Sequence, residues 1–126
     1  MEIWQEKLLN RIDKTDFKAN EVKIYDVFRK LCEPFVGYKD CSFEDNSLRI
    51  NNDIYTLQVD INDIIINYSK NGANPIEYKF SLRDNWCGIE HNYYISNRLE
   101  KHSMGDRNMD YENILNTLMG MIIKEK

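Results

Sequence analysis

Tyr55-Thr56-Leu57-Gln58-Val59-Asp60-Ile61-Asn62-Asp63-Ile64-Ile65-Ile66-Asn67-Tyr68 is the stretch on which the fold turns. Tyr55, Leu57, Val59 and Ile61 alternate with polar residues, and Ile64, Ile66 and Tyr68 repeat the pattern. A period of two marks a strand with one buried face. Only Asn62-Asp63 separates the two runs, and a loop that short makes a hairpin. It pairs Ile61 with Ile64, Val59 with Ile66 and Leu57 with Tyr68, all on one face.

The pattern extends in both directions. Ile76, Tyr78, Phe80 and Leu82 alternate with Glu77, Lys79, Ser81 and Arg83. The loop Asn71-Gly72-Ala73-Asn74-Pro75 sets Tyr68 beside Tyr78 and Ile66 beside Phe80. A turn over residues 51–54 brings Leu48 and Ile50 against Leu57 and Tyr55. A turn through Trp86-Cys87-Gly88 lays Ile89, His91, Tyr93 and Ile95 beside Leu82, Phe80, Tyr78 and Ile76. Every hairpin sets apolar against apolar, which predicts a five-stranded antiparallel β-meander from Phe43 to Ile95. Residues 97–108 show no apolar periodicity and read as a loop.

Helices flank the sheet. Trp4, Leu8 and Ile12 form one stripe. Ile24, Val27, Phe28 and Leu31 form a second, with Asn20 as N-cap and Pro34 as the stop. Tyr111, Ile114, Leu115, Leu118, Met121 and Ile122 predict a last helix, capped by Asn108 or Asp110. Gly120 inside it costs about 1 kcal/mol against alanine and predicts close packing there. The fold class is α+β: two N-terminal helices, a five-stranded antiparallel meander and a C-terminal helix, with the helices packed on one sheet face. No repeat or linker interrupts residues 1–126, which read as a single domain.

Composition excludes several function classes. The chain has 21 acidic against 17 basic residues, a net charge of -4, which argues against direct nucleic-acid binding. The longest apolar run, Leu118 to Ile123, is six residues, and no membrane association is expected. Three cysteines, Cys32, Cys41 and Cys87, without an export signal read as reduced thiols in the cytoplasm.

The motifs point away from catalysis. Glu77-Tyr78-Lys79 with Asp60 or Asp63 upstream spells a metal-dependent nuclease pattern. Its carboxylates must converge on one Mg²⁺, and the predicted register holds them apart along the strands. Cys87 and His91 lack further ligands at zinc spacing, and His91 falls on the inward face as a core histidine. His102 reads as an exposed loop residue. Neither a catalytic set nor a cofactor or metal site is expected.

Charge distribution carries the remaining signal. Residues 40–63 hold six acids, Asp40, Glu44, Asp45, Asp53, Asp60 and Asp63, against one base, Arg49. An acidic patch speeds encounter with a basic protein surface, such as that of a nuclease. These six residues are therefore the candidate partner-binding site. The expected function is a non-enzymatic protein-binding inhibitor, either a toxin-immunity protein or a phage-encoded anti-defence inhibitor. The alternative is a small-molecule-binding domain whose pocket lies between sheet and C-terminal helix, near Tyr78, His91 and Tyr93. A third expectation is a subunit or chaperone that uses Ile65 and Tyr94 on the solvent face as anchors.

Overall fold

The computed structural model describes residues 2–5, 21–60, 63–105 and 110–125. Helix α1 (Glu21–Cys32) runs into a short 3₁₀ turn (Glu33–Phe35). Seven strands follow: β1 (Cys41–Glu44), β2 (Ser47–Ile50), β3 (Asp53–Val59), β4 (Asp63–Lys70), β5 (Ile76–Asn85), β6 (Gly88–Ile95) and β7 (Arg98–Gly105). Helix α2 (Tyr111–Glu125) closes the order. The protein is α+β with an antiparallel sheet and a C-terminal helix, but the sheet has seven strands rather than five. The one N-terminal helix placed is α1; residues 3–5 are helical, and Leu8 and Ile12 of the other expected helix lie outside the described residues.

The two additional strands have local causes. Asp45 and Asn46 both take positive φ, 51° and 61°, as a type I′ turn requires, and they split the expected first strand into β1 and β2. Ser96 and Asn97 do the same at 49° and 69°, turning the chain from β6 into β7. β7 was expected to be loop because every one of its residues is exposed, so no alternation could betray it.

The strands lie in chain order, and each of the four expected hairpins is offset by two residues. Val59 pairs with Ile64 and Leu57 with Ile66. Asp60 and Asp63 exchange backbone hydrogen bonds at 2.9 and 3.4 Å, while Ile61, expected opposite Ile64, lies with Asn62 outside the described residues. Ile64 pairs with Phe80 and Ile66 with Tyr78. Leu48 faces Tyr55. Phe80 faces Tyr93, Leu82 faces His91 and Tyr78 faces Ile95. A two-residue offset preserves the face of every side chain, so the buried set survives while its neighbours change.

The core lies between the helices and one face of the sheet. Ile24, Phe28 and Cys32 of α1 and Tyr111, Ile114, Leu115, Leu118 and Ile122 of α2 join Leu48, Tyr55, Leu57, Ile64, Ile66, Tyr68, Tyr78, Phe80, Tyr93 and Ile95 in one cluster. Spacing of three and four residues aligns each helical set on one stripe. The Tyr25 hydroxyl accepts from the Val59 amide at 3.3 Å, tying α1 to the end of β3. Asp110 caps α2, its Oδ1 accepting from the Asn113 amide at 3.1 Å. Gly120 departs from expectation: a Cβ added there meets nothing within 4 Å, so no close packing explains it.

Candidate functional site

The six acidic candidates divide between opposite ends of the sheet. Successive turns of a meander alternate ends, so the β1–β2 turn and the β3–β4 turn share one end. Glu44, Asp45, Asp60 and Asp63 lie there. The Leu57 amide donates to the Asn46 carbonyl at 2.9 Å, which fixes the first turn beside Leu57. Asp60 is three residues further on, about 10 Å along the strand. Glu44, Asp45 and Asp60 are exposed and Asp63 is half-buried.

Asp40 and Asp53 lie at the other end. Asp40 takes a φ of 63° and is exposed. The Tyr68 hydroxyl donates to Asp53 Oδ1 at 3.0 Å, on the core side of the sheet. Asp53 thus has a structural partner. Asp40, Cys41, Ser42, Arg49, Asn51 and Asn52 line an open concavity of about 480 Å³ beside β1. It lies away from the sheet–helix interface, where Tyr78 and Tyr93 are packed and buried.

The nuclease spelling also comes apart in space. Glu77 faces Asn67, whereas Asp63 faces Ser81, four residues along β5. That step is about 13 Å, too far for two carboxylates to share one ion. Among the described residues, no three His, Cys, Asp or Glu side chains gather in a metal-binding group. Cys32, Cys41 and Cys87 form no disulfide. Burial pushes the Cys32 thiol up to about 12. Burial also raises Tyr93, against a smaller opposing effect of its hydrogen bond with Thr117. Both are held in the neutral form.

Sequence reasoning missed one polar constellation, on the sheet face away from the helices. Asn92 is only 4 % exposed there. Its Nδ2 donates to Glu90 Oε2 at 3.3 Å, and its Oδ1 lies 2.6 Å from His102 Nδ1. A carboxylate only accepts, so Glu90 fixes which end of the amide faces His102. Oδ1 must then accept from a protonated Nδ1. Only the Ser96-Asn97 turn could have revealed this, by placing β7 beside β6. On the same face, Ile65 is 6 % exposed and Lys79 lies 5.1 Å from the Tyr94 ring centroid.

His91 is half-buried, as its inward position implies, with its ring edge toward Phe80 at 5.7 Å between centroids. A Cβ at Gly105 would stand 2.6 Å from His91 Nε2, so glycine permits this approach of β7. No helix among the described residues is long and apolar enough to cross a membrane. No family model, curated protein or solved structure matches the chain.

Proposed function

We propose that this chain is a non-enzymatic protein-binding inhibitor that neutralises a partner with a basic surface, such as a nuclease. A toxin-immunity protein and a phage-encoded anti-defence inhibitor are the two forms that fit, both acting in the cytoplasm. The observation that supports it is the local excess of five negative charges over residues 40–63. Four of the six acids share the end of the sheet that carries the β1–β2 and β3–β4 turns. Glu44, Asp45, Asp60 and Asp63 are the contact set, Asp40 adds long-range attraction, and Asp53 supports the hairpin through Tyr68. Like-signed charges on adjoining turns raise the encounter rate with a basic surface and bar acidic competitors.

The partner is obtained by affinity capture from the source cell, or from its phage-infected host, and association is then measured with the purified pair. Reversing Glu44, Asp45, Asp60 and Asp63 to lysine should slow association about tenfold or more at low salt, with the difference shrinking as salt rises. An association rate indifferent to both salt and charge reversal overturns the reading.

A further inference from the structure

The two edges of the sheet are unequal. β1 is four residues long. Its Phe43 is tucked against Phe28 at 5.9 Å, and its Cys41 amide is closed by the Tyr38 carbonyl at 3.2 Å. β7 is eight residues long and exposed throughout. Its outer edge pairs with no strand among the described residues. Leu99 and Met104, 53 % and 47 % exposed, stand on the face away from the helices. A long uncovered edge offers a row of backbone donors and acceptors to another strand.

Which backbone groups point outward follows from the pairing. Ile95 and Arg98 close the two-residue Ser96-Asn97 turn, and Lys101, Ser103 and Gly105 face Tyr93, His91 and Ile89. Alternate residues of an antiparallel strand address opposite neighbours. Leu99, His102 and Met104 therefore open to the free edge. The register shifts between Tyr93 and Tyr94, leaving Glu100 as an extra residue between Leu99 and Lys101. Because of that bulge, Leu99 and His102 open outward together despite an odd separation.

We propose that β7 pairs antiparallel with β7 of a second copy of this chain, about a two-fold axis between Glu100 and Lys101. In that register Leu99 lies opposite His102 of the copy, Glu100 opposite Lys101, and Arg98 opposite Ser103. Both outward-opening residues match, and so do the faces. Leu99 and His102 lie on the outer face, while Glu100 bonds Arg98 and Lys101 lies over the Tyr93 ring on the helix side. Charge selects the register: each Glu100 meets a Lys101. A slip of one residue either way sets Glu100 on Glu100 or Lys101 on Lys101, which is repulsive. Asn92 holds the His102 ring in place for the contact. The acidic turns of β1 to β4 stay free at the far side of each copy.

Sedimentation velocity of the full chain tests this over about 1 μM to 1 mM, a range that spans weak self-association. The expected mass rises from 15.1 kDa to twice that value. Glu100→Lys or Lys101→Glu alone should weaken the dimer about tenfold or more, and the two together should restore it. In the unaltered protein, the Leu99 and His102 amides should exchange more slowly in the dimer than in the monomer. A monomer throughout, a dimer insensitive to the single changes, a double variant that does not recover, or unprotected Leu99 and His102 amides would each overturn the proposal.

Discussion

Cys32 ends the buried stripe of α1, and its thiol is kept neutral by the apolar cluster around it. In the unfolded chain the thiol ionises near its ordinary value of 9.0, whereas in the fold it holds its proton to about 12. Between those limits the unfolded state loses the proton first, so stability falls as pH rises through that window. Below it the thiol contributes no pH dependence. Urea midpoints measured from pH 8 to 11 should therefore decline, and Cys32→Ala should flatten part of the slope. Iodoacetamide applied to the folded protein at pH 8 should label exposed Cys87 well ahead of Cys32. Gly120 sits on the exposed side of α2 with open space where a Cβ would stand. Gly120→Ala should stabilise the protein by about 0.5–1 kcal/mol, read as a higher thermal midpoint.

Turns explain where the expected elements and the observed ones part. The test of matching apolar faces passes at any register that differs by two, because side chains alternate with that period. It therefore identified the buried face correctly, through Tyr55, Leu57, Ile64, Ile66, Tyr78 and Phe80, yet passed pairings that lie two residues out of register. Turn geometry decides the pairing: Ile50 pairs with Asp53 across Asn51-Asn52, where Asn51 takes a φ of 55°, and Asn85 pairs with Gly88 across Trp86-Cys87, so both hairpins close on two-residue turns. β7 was illegible because its stability comes from backbone pairing with β6, and backbone hydrogen bonds leave no hydrophobic pattern. Asn97→Gly should favour the β6–β7 turn by several tenths of a kcal/mol, since glycine adopts positive φ without a steric cost. Slower amide exchange along β7 measures it, and faster exchange would contradict the turn assignment.

For the whole molecule, a net charge of -4 conceals an uneven distribution, because residues 40–63 alone hold an excess of five negative charges. That asymmetry was legible in the sequence, since charge can be counted without knowing the fold. The geometry of the six acids was not. Only the antiparallel order sends Asp40 and Asp53 to one end and Glu44, Asp45, Asp60 and Asp63 to the other, and the Tyr68 hydroxyl bonds Asp53 on the core side. The Glu90–Asn92–His102 chain was hidden for the same reason, as it joins side chains across two strands. By itself the sequence determined the α+β class, the identity of the buried face and the acidic bias of the first strands, because periodicity and charge are local properties of the chain. Strand number, register and the grouping of side chains at each end and edge were decided by the tertiary structure, because turn geometry and cross-strand hydrogen bonding select among pairings that bury the same residues equally well.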